Sequence, residues 1–456
     1  MIELAPERIA AEAGSDILSA GARSHPQRAV IDSREAGEGD LFFGLQGEHA
    51  DGGAYASEVL RGGAWGVLVS RAYAEALAAD GDAGADGWVL ASDDPLGSLQ
   101  HLARAWAREL GCPTVGITGS TGKTSVKDIA RAIIPGRVHA SPENFNTEIG
   151  LPLTILDAPT ETEVLVLEMA MRGLGQIAEL CEIAAPDVAV ITNIGPVHLE
   201  LLGTIEAIAE AKAEILGGLA DGGRAVVPAD AEALEPHLAD DIPVLTFGPG
   251  GDVFAEASER RDGALHARVV APSGAQDFAF PFGEAHNLAN ALCAIAIGVA
   301  LGASLEEMAA RAPGITFSRL RGQTLVLAEG ILLLNDSYNA NPVSMGAALD
   351  HLATLPANRR LAVLGEMREL GPDAASYHRD VGAHARRLGI DPVIGVGELA
   401  AEYAPGTLAR DADEAAALLD AMLQPQDVVL VKGSRAVGLE VVAERLGERR
   451  AAGGER

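Results

Sequence analysis

Apolar residues along the chain fall into two rhythms: short unbroken runs bounded by Gly, Pro, Asp or Ser, and longer segments in which they recur at helical spacing. The first rhythm reads as buried strand and the second as amphipathic helix. Both meet in TVGITGSTGKTSVKDIARAII, residues 114–134. Thr114, Val115 and Ile117 form a strand, and Val126, Ile129, Ala130, Ile133 and Ile134 share one helix face before Pro135-Gly136 ends the pattern. Upstream, residues 95–110 place Leu96, Leu99, Leu102, Ala103, Trp106 and Leu110 on one face and run straight into that strand. This helix belongs to the same domain as the strand it leads into, so a boundary is expected near residue 90, with residues 1–90 a small α/β module. Further strands are expected at Val164–Leu167, ending in Glu168, and at Val188–Thr192. A helix over 204–219 carries Ile205, Ile208, Ile215 and Leu219 as its stripe, and residues 224–283 read as short strands that complete the sheet and add a small β extension. A further helix starts at His286, and Pro313-Gly314 marks a second boundary. Beyond it, strands near 331–335, 361–364, 393–396 and 428–431 each precede a helical segment. Right-handed crossovers make such a unit a doubly wound parallel sheet. The expected class is α/β with domains at 1–90, 91–313 and 314–456.

Composition agrees with an α/β enzyme: 48% hydrophobic residues with 53 Gly and 23 Pro suit many strand-to-helix turns and exclude a disordered chain. The net charge of -31 argues against a general nucleic-acid binder, which needs clustered Lys and Arg to displace phosphate counterions. Anionic ligands must be met by local positive sites. Cys112, Cys181 and Cys293 are far apart and suggest neither a disulfide framework nor a zinc cluster. No run reaches ~18 uninterrupted apolar residues and the N-terminus lacks a signal-peptide pattern. A cytoplasmic chain without a membrane span is expected.

The candidate chemistry starts at the loop GSTGKTS, residues 119–125. Gly119 and Gly122 allow positive φ, so the loop N–H groups can converge where the helix N-terminus adds partial positive charge. Such a loop cradles phosphate. Lys123 would reach the β- and γ-phosphates and the Thr124 hydroxyl a Mg²⁺ ion. The loop is shorter than the common phosphate-binding pattern, which wants a glycine where this chain has Ile117. Glu168, at the carboxyl end of a parallel strand, faces the crevice where α/β sheets bind ligands and could take a metal beside Thr124. His198 follows a Gly-Pro turn at the next strand end, as a ligand or as an ordinary surface histidine. Lys212 sits on an apolar stripe, where it must snorkel, pair with a carboxylate or be neutralised. Ser33-Arg34 could grip a phosphate or a uracil edge, or form a solvated turn. Asn144, Asn146 and Thr147 could bond a ligand or cap the next helix, as could His286, Asn287 and Asn290. Asp336, Ser337, Asn339, Asn341, Glu366 and Lys432 cluster at strand ends of the last domain.

The motifs GITGSTGKTSVK, ENFNTEIGLP, EMAMRGLGQIAEL, ITNIGPVHLELLG, AKAEI, HNLANA, NDSYNANPVSM, LGEMRELG and LVKGSR, in this order, resemble the Mur ligase family. The resemblance runs the whole chain, including DSR and GDLFFGLQGEHADGG near the N-terminus. DSYNANP and NFNTEIG select the member that adds D-alanyl-D-alanine over those that add one amino acid. The resemblance implies an N-terminal domain holding UDP-N-acetylmuramoyl-tripeptide, a central ATPase and a Rossmann-like C-terminal domain that closes over ATP and helps bind the dipeptide. It implies ATP contacts from Gly119, Ser120, Thr121, Gly122, Lys123, Thr124, Ser125, Asn287, Asn290, Asp336, Asn339 and Asn341. Ser33, Arg34, Asn146, Thr147 and Arg172 become substrate contacts, and Thr124, Glu168 and His198 the Mg²⁺ shell. Lys212 aligns with a family lysine that is carbamylated and helps hold a second Mg²⁺; Lys123, Glu168, His198 and Lys212 form the catalytic set. Entering the third domain, SRLRGQ stands where the family often has Gly-Arg-Leu, and counting back from Asp336 favours Arg321 over Arg319 as the γ-phosphate contact. Asn335-Asp336 keeps only the second acid of the family's pair. A monomer is expected. The competing readings are a sister or folylpolyglutamate-type ligase adding one amino acid, and a nucleotide switch without ligation.

Overall fold

A computed structural model describes residues 2–48, 50–79, 86–142, 144–261 and 263–450. His49 and Glu143, inside two of the quoted motifs, lie outside these residues. The architecture is α/β with mainly parallel sheets, as expected. The first sheet runs in the order Asp16–Ser19, Trp88–Ser92, Gly66–Ser70, Leu41–Phe43, Ala29–Val30, and Asp16–Ser19 alone is antiparallel to its neighbour. Trp65 and Trp88 stack at 5.7 Å in its core. Both indole N–H groups donate to the Arg23 carbonyl, at 3.1 and 2.9 Å.

The central sheet is wholly parallel, in the order Val244–Phe247, Arg224–Pro228, Val188–Ile191, Thr114–Thr118, Val164–Glu168, Val138–Ala140. Alternate residues serve two cores. Val115, Ile117, Val164, Val166, Val188 and Val190 pack towards helices Lys123–Ile133 and Ala285–Ala300. Leu165, Leu167, Ala189 and Ile191 face helices Pro95–Leu110, Gly150–Asp157, Gln176–Ala184 and Ile205–Gly217 on the other side. Burial on both faces explains why these strands read as continuous apolar runs. A three-stranded antiparallel meander, Phe254–Arg261, Ala264–Ala271 and Gly274–Phe280, is the expected β extension, seated on stacked Phe278, Phe280 and Phe282.

Thr114–Thr118 has Val164–Glu168 on one side and Val188–Ile191 on the other. The chain leaves Thr114–Thr118 towards Val138–Ala140 but leaves its neighbour Val188–Ile191 the other way, towards Arg224–Pro228, so a crevice opens at the carboxyl ends of these two strands. The last sheet runs Gln323–Val326, Leu332–Asp336, Val428–Lys432, Arg360–Gly365, Val393–Val396, Thr407–Ala409. Its expected strands appear where the apolar runs predicted them. Two edge strands are additions: Gln323–Val326, which is antiparallel, and Thr407–Ala409. The final strand inserts between the first and second of the alternating units, so Asp336 and Lys432 emerge as register partners.

Candidate active site

The phosphate loop is built by sterics. Gly119 has φ 147°, and a methyl group there would lie 1.9 Å from Thr192 Oγ1; at Gly122, φ 79°, it would lie 2.4 Å from Asn290 Oδ1. Only glycine fits either position. The loop is tied to the neighbouring strand end, because the Thr121 N–H donates to Asn193 Oδ1 at 2.8 Å and the Ser120 N–H to the Asn193 carbonyl at 3.1 Å. Helix Lys123–Ile133 starts on left-handed Gly122 with no side chain capping its first N–H groups. Those donors and the helix dipole point into the crevice.

Glu168 is 2% exposed, and both of its oxygens are engaged. One accepts the Thr124 hydroxyl at 2.9 Å and the other the Asn146 amide at 2.9 Å. Asn146 thus serves Glu168, and the following helix has no side-chain cap. Arg321 reaches across from the third domain to within 3.2 Å of Thr124 Oγ1, its guanidinium 3.9 Å over the Tyr338 ring, while Arg319 is exposed. Lys123 donates to the Gly119 carbonyl at 2.7 Å. Burial holds its ammonium below the usual lysine range, Glu168 opposes this and Arg321 adds to it.

Lys212 is 2% exposed on helix Ile205–Gly217 and has no hydrogen bond or ion pair among the described residues. Burial drives its ammonium well below the lysine range, and the nearby Lys123 pushes the same way. The half-buried His198 bonds through Nδ1 to Glu369 of the third domain. Its imidazole is pushed down by burial against the pull of Glu369, with Lys212 and Lys123 pushing further down.

A cleft of about 350 Å³ lies between the central and C-terminal domains. It is lined by Ser120 to Ser125, Glu168, Asn287, Asn290, Arg321, Asp336, Asn339 and Asn341. The candidate nucleotide residues therefore come together, except Gly119 beneath the loop. Asn341 also caps helix Pro342–Thr354, accepting the Ser344 N–H at 2.9 Å. Asn290 donates to Asn287 at 3.0 Å. His198, Lys212, Asn146, Thr147 and Arg172 are not among the cleft's lining residues. Thr147 is exposed, and exposed Arg172 comes within 4.0 Å of Glu369. Ser33 and Arg34 belong to the first domain, where Arg34 pairs with Asp32 at 2.5 Å and pulls that carboxyl down to about 2. Lys432 also lines the cleft; buried, it donates to Asp336 at 2.5 Å and to the Asn339 carbonyl at 2.9 Å. The sequence placed it at a strand end without assigning it a role. Asn193, Tyr338 and Glu369 lie inside motifs that carry the family resemblance but were assigned no role there.

The family model of the Mur ligase middle domain matches residues 117–298, and that of the Mur ligase glutamate ligase domain matches residues 320–435. The chain belongs to the Mur ligase family. Family relatives include the UDP-N-acetylmuramoyl-tripeptide--D-alanyl-D-alanine ligase of Bacillus subtilis, 34% identical over 91% of this chain and 92% of its own. The ligase of that name from Escherichia coli K12 is 34% identical over 95% and 97%. Among solved Mur ligases, a crystal structure of MurF from Acinetobacter baumannii superimposes with TM-score 0.87 at 28% identity, covering 97% of this chain and 98% of that one. MurF ligase from Thermotoga maritima in complex with ADP gives 0.80 at 31% identity, covering 92% and 97%.

Proposed function

We propose that this Mur ligase uses ATP to join D-alanyl-D-alanine to UDP-N-acetylmuramoyl-tripeptide, in peptidoglycan precursor synthesis. The observation that carries this reading is the convergence of Lys123, Thr124 and Glu168 from the central domain with Arg321, Asp336 and Asn339 from the third in one cleft. Near-full-length relatives bear the name of that reaction.

A carboxylate does not react with amines until one oxygen becomes a good leaving group. In the first step the tripeptide's terminal carboxylate attacks the γ-phosphorus, the bond to the β-phosphate oxygen breaks and ADP leaves. The acyl phosphate is then attacked at its carbonyl carbon by the dipeptide amine, which gives up a proton as inorganic phosphate departs. Lys123 and Arg321 stabilise the charge gathered on the transferring phosphoryl group, and the loop N–H groups orient it. Asp336, Asn339, Asn287 and Asn290 hold the nucleoside side; Ser33 and Arg34 bind the uridine diphosphate, and Asn146, Thr147 and Arg172 the peptide.

Thr124 and Glu168 offer hard oxygen donors beside the phosphate loop, which suits Mg²⁺, an ion commonly held by one or two carboxylates plus substrate phosphates. Bound there with His198 nearby, it supplies charge neutralisation for phosphoryl transfer. Lys212 fits a carbamate: burial favours its neutral amine, which on adding CO₂ and releasing one N–H proton to solvent would become an anion able to hold a second Mg²⁺. The domains are read as a UDP-substrate domain at 1–90, an ATP-binding domain at 91–313 and a ligase domain at 314–456, with the first sheet ending at Ser92. No helix among the described residues is long and apolar enough to cross a membrane, and we read the enzyme as a cytoplasmic monomer.

The test is phosphate release and product mass with each UDP-muramoyl tripeptide, with and without D-alanyl-D-alanine. Dipeptide-dependent release with a product heavier by the dipeptide is expected. Release with a single amino acid instead would move the enzyme to a sister activity, and nucleotide binding without acceptor-dependent release would make it a switch.

A further inference from the structure

Asp128 lies in the second turn of the helix that leaves the phosphate loop and is 2% exposed. Its two oxygens take both donors of a single residue, the Ser318 N–H at 2.8 Å and the Ser318 hydroxyl at 3.0 Å. Lys127, equally buried, lies 3.4 Å from Asp128 and donates to the Ser141 carbonyl at 2.8 Å. The Ser141 hydroxyl in turn receives the Glu168 N–H at 3.0 Å. One buried pair therefore braces both the strand end that presents Glu168 and the segment entering the third domain.

That segment carries Arg321 three residues after Ser318. Three residues span at most ~10 Å, so fixing Ser318 confines where the guanidinium can go. The far side is fixed as well: the Tyr338 N–H donates to the Leu320 carbonyl at 3.3 Å, and Arg321 stacks on the Tyr338 ring. Between the two anchors Leu320 and Gly322 both have φ 63°. A leucine keeps that left-handed backbone only where its surroundings over-determine it.

We propose that Asp128, braced by Lys127, is a positioning residue that pins the interdomain segment so that Arg321 is delivered to the phosphate loop. This rests on the reading of Arg321 as a phosphate contact. A preorganised donor acts on developing charge only when its geometry is fixed beforehand, and the two anchors fix it.

The test is a double-mutant cycle on the full-length enzyme, with steady-state kinetics in ATP and in the tripeptide nucleotide and a melting curve for each variant. Arg321→Ala should lower kcat about 10²-fold, as loss of one such donor does. Asp128→Asn should lower kcat roughly 10-fold and Ser318→Ala about 3-fold, with KM for the tripeptide nucleotide unchanged; in the Arg321→Ala background both should cost less than about 2-fold, because residues acting as a unit are non-additive. If Asp128→Asn does not fold, Ser318→Ala decides alone, since it removes one hydroxyl and no charge. Losses that multiply on the Arg321→Ala background overturn the positioning role while leaving the phosphate role of Arg321 intact. Wild-type turnover by Arg321→Ala refutes the phosphate role itself, and the proposal with it.

Discussion

Replacing Lys212 by methionine sets stability against activity at one residue. Lys212 is 2% exposed and unpartnered among the described residues, and Lys123 repels its charge. Methionine keeps an apolar stem on the buried helix that also carries Ile208 and Ile215 while deleting the amine. A buried unsatisfied donor costs about 1–3 kcal/mol, and exchanging buried charged groups for well-packed apolar ones often stabilises by a similar amount. Taking about 2 kcal/mol, and ~2–4 °C per kcal/mol for a domain of this size, Lys212→Met should melt roughly 4–8 °C above wild type in Mg²⁺-free, CO₂-depleted buffer. The same variant should lose at least ~10²-fold in ligation, because no carbamate can form. Calorimetry reads the first quantity, and phosphate release with saturating substrates the second. Lys212→Ala should regain some activity when a short carboxylic acid is supplied. Lys212→Arg should stay inactive, since guanidinium keeps its charge and cannot be carbamylated. A Met variant that melts lower than wild type and ligates normally would reduce Lys212 to a packing lysine and remove the carbamate from the mechanism.

Lys123→Ala should keep the fold and cut ligation at least ~10²-fold, with near-wild-type turnover counting against the phosphate-loop assignment. Gly119→Ala should impair both folding and ATP affinity, since the added methyl would lie 1.9 Å from Thr192 Oγ1; a variant with wild-type melting and nucleotide affinity would show that the loop gives way. Scattering should register compaction when an ATP analogue and the nucleotide-tripeptide bind together, because the cleft's ligands come from two domains; an unchanged radius at saturation speaks against a hinge. Burial raises the Cys181 thiol to about 12 and the Cys293 thiol well above its usual value, so these two should resist alkylation at pH 8 in the native protein, with any fast labelling confined to the half-buried Cys112. The stability these raised values contribute is complete below the thiol's unfolded value of ~8.5 and is lost as pH climbs beyond it, so melting temperature should fall there, and a flat profile would contradict the assignment.

Elements whose ends carry local chemistry were legible in the sequence. The helix Pro95–Leu110 falls where its apolar spacing put it, because Asp94 accepts the Gly97 N–H at 3.1 Å, Pro95 opens the first turn and left-handed Gly111 closes the last. The central strands were legible because burial on both faces makes them unbroken apolar runs. Gln323–Val326 was not: largely exposed, it is a strand only through its pairing with Leu332–Asp336. The same division runs through the candidate site. Glycine sterics and helix amphipathicity write the loop into one short stretch, whereas Glu369 bonds His198 across 171 residues and Ser318 bonds Asp128 across 190. No local pattern encodes such pairs: Glu369 lies within LGEMRELG and Asp128 within the loop-helix stretch, yet neither stretch specifies a partner so far along the chain.

Two other long-range contacts, to Glu168 and to Arg321, meet at Thr124. Its hydroxyl donates its one proton to Glu168 and accepts from Arg321, so residues from a helix start, a strand end and an interdomain segment share one oxygen. A cation held by Thr124 and Glu168 would take the second lone pair of that hydroxyl oxygen and bring its charge against the Arg321 guanidinium. A phosphate in the loop offers the guanidinium a more strongly charged acceptor, because charge-assisted hydrogen bonds are roughly twice as strong as neutral ones. Exchange of Arg321 from the hydroxyl to phosphate would therefore relieve that repulsion while keeping the third domain engaged. The anchors at Asp128 and Tyr338 restrict that exchange to a short swing of one side chain, so the interdomain segment need not be rebuilt when nucleotide arrives.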